Sequence, residues 1–573
     1  MRKKFLAALI CASLIAAFAP SAWTHTVNRA VPLSQAVKRP DGYRAVVDDL
    51  RAWNLAAARK KIESLEAGSP GRAEWRALSG AADYLEGRFS ESVANLNAAL
   101  KKKPGDGEWL ELRLHVRQTQ TAVQGFKAHK TAHFDIWYEP GEDAVLLPYL
   151  GDALEKAYAR YGEILGVRPA QRIRVELFSD SVRFHRSSTL SRRDIEEKGA
   201  VGVCKFNKVM FLSPGALLRG YRWLDTAAHE YVHYLIVLAT KNRAPIWLHE
   251  GIAKYLEKRW KGGEREGYLH PGEEALLYKA RETNNYVPFK KMEPSLIYLD
   301  TPQEVHLAYA EAASAVDFIR RTMGEGALVR LLAGIREASP APRMQGAPAL
   351  GEENPGMRRQ RRASLVELES TGPPQSAEPG LRLVAGVDLG GFEKLWIEDL
   401  KKLPLRAHAG SQVMLPKLKP KGPMNERSID LAALKSAVAR RRMRLGDRLS
   451  FRGRMRAALI EYRRALRDEP YSQPLLNRAA QVEIHLGMIP QAERHIQKAL
   501  EVDPDYAMTH VHRALASEMG GKAESALRAW EEVVEINPFI RVVHERLLAH
   551  YERTGQTEKA KREREVLLSM SSR

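Results

Sequence analysis

The sequence predicts a mainly α-helical chain in which an α+β domain stands between two arrays of paired helices. Three observations predict this. Proline, glycine and alanine recur every 34 residues toward the C-terminal end. A shorter run with the same spacing stands near the N-terminal end. The stretch between them carries a β-hairpin pattern beside helices and does not keep that period.

The first 22 residues read as a secretory signal, with Arg2, Lys3 and Lys4 as the basic region and Phe5 to Ala19 as the apolar one. Ala17, Ala19, Ser21 and Ala22 offer cleavage positions, and the sequence around Cys11 is no lipidation signal. The expected place of the protein is therefore the periplasm, another part of the cell envelope, or the medium. No other stretch is long and apolar enough to span a bilayer, so no transmembrane span is expected after signal removal. Cleavage leaves Cys204 as the one cysteine, which excludes an intramolecular disulfide and leaves stability to packing. The net charge is +20 and the pI about 9.7. No basic-aromatic motif accompanies the charge, so no nucleic-acid partner is expected. Loose attraction to anionic envelope surfaces, or plain solvation of arginines on helical repeats, fits better.

Residues 43–124 carry the shorter array. Pro70 and Pro104 are 34 apart, with Ala58, Gly80, Gly87 and Ala99 at fitting places. This gives two repeats from Tyr43 to Pro104 and an extra helix to Val123. Two repeats bury little core alone, so the block is expected to pack on the domain that follows, residues 126–403.

Within that domain the most telling residues are His229-Glu230-Tyr231-Val232-His233, followed by Trp247-Leu248-His249-Glu250-Gly251. Trp223 to Ala239 lacks Gly and Pro and reads as a helix. Positions i and i+4 share a helix face, so His229 and His233 can aim at one ion. Zinc takes nitrogen and oxygen ligands, and a catalytic site keeps one position open for water. Glu230, beside the first ligand, is placed to act on that water as a general base. Thr240 to Pro245 supplies a polar turn, and Ile246 to Arg259 reads as a second helix carrying Glu250 as third ligand. Glu257 falls further along the same face, where carboxylates orient ligating histidines. Ala253 between them allows close packing. The competing reading is an amphipathic helix with surface histidines. The apolar run Leu235 to Leu238 speaks for a buried helix instead, and buried histidines need partners.

HEYVH (229–233) and WLHEGIAKYLE (247–257) resemble the gluzincin pattern HExxH…WLxEGxAxYxE of peptidase MA-like metallopeptidases. The resemblance runs from Thr131-Ala132-His133-Phe134 to about Leu400. It includes RIRVELFSD (172–180), GAVGVCKFNKVMFLSP (199–214) and APIWLHEGIA (244–253). It implies a zincin-like α+β fold, one zinc on His229, His233 and Glu250, and Glu230 as base. It also implies a tyrosine that stabilises the tetrahedral intermediate, for which Tyr309 in AYAEAASAVDFI (308–319) stands in the matching place. The other reading of Tyr309 is a core tyrosine on an Ala-rich helix. Aminopeptidases of this clan carry a GxMEN segment whose glutamate reads the free amine. Here Gly199 to Cys204 contains no acidic residue, which implies an endopeptidase or protein-processing enzyme. The same stretch turns at Phe206-Asn207-Lys208 into Val209 to Leu212, a β-hairpin. In resembling enzymes an edge strand above the zinc pairs with the extended substrate.

Residues 339–379, rich in Pro, Gly, Ala, Ser and Arg and containing Arg358-Arg359-Gln360-Arg361-Arg362, read as a disordered insertion. Leu389 to Trp396 reads as the closing helix of the domain, and 404–430 as a linker. In the last block, 434–569, Pro470, Pro504 and Pro538 keep the 34-residue step, as do Gly453, Gly487, Gly521 and Gly555, and Ala458, Ala492, Ala526 and Ala560. These are four tetratricopeptide repeats: Gly turns, Ala packs, Pro ends the second helix. The expected function is a zinc-dependent metallopeptidase of the bacterial cell envelope acting on a peptide or protein, with the repeat grooves binding substrate or protein partners. The alternative is a non-catalytic repeat scaffold with a structural zinc. Hydrolysis of another amide or an ester shares the same zinc chemistry.

Overall fold

Among the described residues the chain is mainly helical, with one small mixed sheet formed between Lys127 and Leu212. The computed structural model describes residues 39–571, apart from 263–266, 293–295, 297–298, 339–375, 412, 414 and 421–425. The signal segment and nearly all of the 339–379 insertion lie outside the described residues. Residues 1–41 form a unit of their own, and the description below concerns Gly42–Arg573.

The N-terminal block forms two helical hairpins, α1 (Tyr43–Arg51) with α2 (Leu55–Gly68) and α3 (Ala73–Leu85) with α4 (Phe89–Lys102), followed by α5 (Gly107–Ala122). The sheet contains β1 (Lys127–Lys130), β2 (Phe134–Tyr138), β3 (Ile173–Phe178), β4 (Gly202–Lys205) and β5 (Lys208–Leu212). Its order is β1-β2-β3-β5-β4, so β4 forms an edge. β2, β3 and β5 run parallel, while β1 and β4 are antiparallel to their neighbours. Phe206 and Asn207 form the two-residue hairpin turn, both with left-handed φ (56° and 59°).

Side chains alternate across the sheet. Ile136, Val175, Val209 and Phe211 face the main core. Phe178, Met210 and Leu212 join the core of the N-terminal block. The block therefore packs on the sheet, as its two-repeat length leads one to expect. Its seam also encloses charge: Lys208 donates to Glu176 at 2.8 Å and Arg174 donates to the same carboxylate at 2.7 Å. Buried charges persist where they are paired and hydrogen-bonded like this.

The helices of the middle domain are α6 (Leu147–Leu165), α7 (Ser181–Ser188), α8 (Arg192–Glu196), α9 (Trp223–Thr240), α10 (Ile246–Leu256), α11 (Pro271–Thr283), α12 (Pro302–Thr322), α13 (Ala327–Glu337), α14 (Glu378–Ala385) and α15 (Leu389–Leu400). Two expectations are corrected. The helix expected over 246–259 ends at Leu256. Beyond it the chain tightens into a 3₁₀ turn at Arg259–Lys261, so that the Trp260 indole donates to Asp225 at 2.9 Å. Glu378 and Pro379, assigned to the insertion, begin α14 instead.

The segment 404–430, expected as a linker, is tied down for much of its length. The backbone N–H of Arg406 donates to Glu274 at 2.9 Å, and His408 meets the same carboxylate at 2.6 Å. Further on, Lys417 and Lys419 bond the backbone of 216–218, and Leu418 forms a bridge with Leu217. Its last residues enter α16 (Glu426–Ala433).

The C-terminal array follows as four hairpins: α17 (Ala437–Phe451) with α18 (Met455–Asp468), α19 (Gln473–His485) with α20 (Ile489–Val502), α21 (Ala507–Met519) with α22 (Ala523–Ile536), and α23 (Arg541–Arg553) with α24 (Thr557–Ser571). The 34-residue period thus corresponds to tetratricopeptide-type helical repeats. The array is docked on the middle domain. Arg222, just before α9, pairs with Asp505 at 2.5 Å, Glu532 at 2.8 Å and Glu535 at 3.1 Å. The Trp223 indole donates to the Val534 carbonyl at 3.0 Å. Among the described residues no helix is long and apolar enough to cross a membrane.

Asp143, in the 3₁₀ turn before α6, gives the fold a pH dependence. Its Oδ1 accepts from Ser213 at 2.5 Å, and its Oδ2 is buried without a partner. Burial outweighs the Ser213 bond and pushes its pKa from 3.8 up to about 6. Between those values the folded chain keeps a proton that the unfolded chain releases, so stability falls as pH rises through that window. Asp143→Asn is expected to leave stability near pH 4 nearly unchanged and to raise it near pH 7 by about 3 kcal/mol. Denaturant unfolding at both pH values checks this.

Candidate metal centre

α9 ends where Lys241 and Asn242 take left-handed φ (54° and 58°), and Pro245 starts α10. That turn folds α10 back on α9. Gly251 lets α10 cross α12 closely: a Cβ there would lie 2.6 Å from the Ala312 carbonyl oxygen. The result is that His229, His233 and Glu250 converge, with one donor atom of each within 4.8 Å of the others. Nε2 of both histidines lies 3.5 Å from Glu250 Oε2.

The donor set fits zinc, the ion that the sequence resemblance implies. At 3.5 Å neither imidazole makes a good hydrogen bond to Glu250. Donors bound tetrahedrally at about 2.0–2.1 Å from zinc stand about 3.3 Å apart, close to that spacing. His229 Nδ1 faces Glu257 Oε2 at 3.2 Å. With the proton on Nδ1, the lone pair of Nε2 is directed at the ligand position. Burial alone would lower the His229 imidazole, but Glu250 and Glu257 outweigh it and push its pKa up to about 10. Burial would likewise raise Glu250, yet His233 and His229 hold it far below the carboxylate range. The carboxylates thus favour positive charge at this spot.

Glu230 turns the other way, toward β4. Gly202 makes room for it: a Cβ there would lie 2.5 Å from Glu230 Oε1. The carboxylate accepts from the Cys204 backbone N–H. Burial, reinforced by the negative charge of Glu250, raises its pKa despite the two histidines. Tyr309 lies part-buried on α12. Burial first, then the charges of Glu250 and Glu230, push its phenol well above the usual range, so it stands within the field of both carboxylates.

Some participants escape a sequence reading. Lys254 donates to Glu257 at 2.9 Å and to Glu273 at 3.1 Å, extending the line His229–Glu257–Lys254 to the first turn of α11. Its three-residue step to Glu257 was the available signal. His249 is buried beside His233, with ring centroids 5.6 Å apart, and burial followed by His233 lowers its pKa to about 3. Gly202 carries no signal beyond being glycine.

A second group, His270, Asp503 and Asp505, also gathers its donors within 4.8 Å. There the Gly272 backbone N–H donates to His270 Nδ1 at 3.1 Å. The ring proton is then on Nε2, facing Asp503 at 3.7 Å, while Asp505 is bonded to Arg222. In this group the ion pair is Arg222 with Asp505. The open cleft lined by His408, Tyr471, Arg494 and Lys498 contains none of His229, Glu230, His233, Glu250 and Tyr309.

No protein-family model and no curated protein matches the sequence. The crystal structure of MamA is similar to part of the chain, at 18% identity over 26% of this chain and 85% of that one, with a TM-score of 0.23. So low a score carries no argument, and the repeats rest on their period and on the hairpins themselves.

Glu257→Ala removes the acceptor that orients His229. It is expected to weaken zinc affinity by about 10–100-fold, as read by competition with a chromophoric chelator. Unchanged affinity would show that Glu257 does not act through His229.

Proposed function

We propose that the chain is a zinc-dependent metallopeptidase of the gluzincin type, an endopeptidase or protein-processing enzyme of the bacterial cell envelope. The observation that carries this reading is a division of labour. Two histidines and a glutamate from separate helices converge on one point, while Glu230, next to the first of them, faces the edge strand.

His229, His233 and Glu250 would hold the ion. Zinc there supplies Lewis acidity, polarising a carbonyl and making water acidic enough to attack near neutral pH. Glu230 accepts the proton of the attacking water and returns it to the departing amine. Tyr309 donates a hydrogen bond to the oxygen on which charge develops. β4, beside Glu230, is the edge from which an extended peptide backbone is held by strand addition. The flanking repeats suit contacts with protein substrates or partners. The basic and apolar N-terminal segment supports an exported location.

A repeat scaffold with a structural zinc has the two flanking arrays in its favour. Such a site has no use for a buried carboxylate beside the metal ligands. Glu230→Gln separates the readings. It is expected to keep zinc content and thermal stability and to lower hydrolysis of quenched fluorescent peptides by about 10²–10⁴-fold. Equal hydrolysis by variant and wild type would end the catalytic reading.

A further inference from the structure

The first repeat of the C-terminal array, α17 and α18, carries a surface that the peptidase reading does not use. From Ala437 to Asp468 the two helices and their turn hold eleven arginines and three acids, Asp447, Glu461 and Asp468. The first two are committed, and Asp468 stands at the last position of α18. Asp447 takes Arg478 at 3.2 Å, and Glu461 takes Arg464 at 2.7 Å and Arg442 at 3.5 Å.

The remaining charge is ordered on the helices. Val438, Arg441, Leu445, Arg448 and Arg452 recur at three- and four-residue steps along α17 and are all exposed. Arg456, Ile460 and Arg467 make a similar exposed row on α18. Phe451, at the turn between the helices, is 83% exposed. Ile460 is 52% exposed and Leu445 46%.

This is the end face of the array. One period later, the positions of Arg441, Leu445 and Arg448 are occupied by Leu475, Ala479 and Val482, buried in the core between the first and second repeats. The end of a repeat array needs a polar face to remain soluble, and charges of both signs serve that need. Here arginine alone supplies the charge of the rows, and large apolar side chains are left standing among it.

We propose that this face binds an anionic phospholipid surface. Guanidinium groups pair with phosphates, while their stems and the interleaved Phe451, Leu445 and Ile460 enter the boundary between headgroups and acyl chains. The alternation of one charge sign with exposed apolar groups matches the phosphates and acyl boundary that a phospholipid surface presents side by side. Membrane attachment through this face is independent of the metal centre.

Sedimentation of the full chain with large vesicles tests this. Wild type is expected to bind vesicles of phosphatidylglycerol mixed with phosphatidylcholine, to ignore pure phosphatidylcholine, and to be released by salt. The triple variant Arg441→Glu, Arg448→Glu, Arg452→Glu is expected to bind at least about a hundredfold more weakly. Phe451→Ser, with all charges kept, is expected to bind several-fold more weakly, and circular dichroism checks that each variant is folded. No binding by wild type to the phosphatidylglycerol vesicles would overturn the proposal, whatever the variants do. Wild-type strength in a folded triple variant would overturn it as well. Binding to polyglutamate in place of vesicles would overturn it in favour of an acidic protein partner.

Discussion

The middle domain is organised around a concentration of buried negative charge. Glu230, Glu250 and Glu257 all act on the His229 imidazole, and Lys254 donates to Glu257. Carboxylates drawn out of water this way must be matched by positive charge. Protonating His229 is one answer, reflected in its raised pKa. A divalent ion is the other, and it leaves the imidazoles neutral as ligands should be. The Nε2 atoms stand 3.5 Å from Glu250 Oε2, a spacing that also suits donors gathered around one ion.

The rest of the structure holds those side chains in register. The array at the C-terminal end grips the start of α9 through Arg222 and Trp223, so the helix bearing both histidines is anchored from outside its own domain. The N-terminal block covers the other face of the sheet, and the Asn207 side chain in the β4–β5 turn donates to the Leu85 carbonyl at 3.1 Å. The strand beside Glu230 is thereby positioned from a second direction. The repeats thus act structurally on the centre, whatever else they bind.

Local rules made part of this legible. The i, i+4 histidines announce a shared helix face, and the 34-residue spacing of Gly, Ala and Pro announces the hairpins, because each depends on residues near in sequence. The turn expected at Phe206-Asn207-Lys208 follows from the same kind of rule, although Lys208 already belongs to β5 and pairs with Lys205. The docking of the arrays does not follow from one, since Arg222 meets Asp505, Glu532 and Glu535 about 300 residues away. The end of α10 at Leu256 depends on Trp260 reaching Asp225, a tertiary contact that overrides a helical pattern. The segment 404–430 has the composition of a linker, yet its backbone finds partners on 216–218 that no local pattern shows. Gly202 is the sharpest case: its role comes from a glutamate 28 positions later.

The most direct measurement is the zinc content of the purified protein by elemental analysis, beside His233→Ala. About one zinc per chain in wild type and little in the variant are the expected results for a three-ligand site. No zinc in wild type, with none taken up on adding it back, would contradict the metal centre and leave the helical repeats as the functional part of the chain.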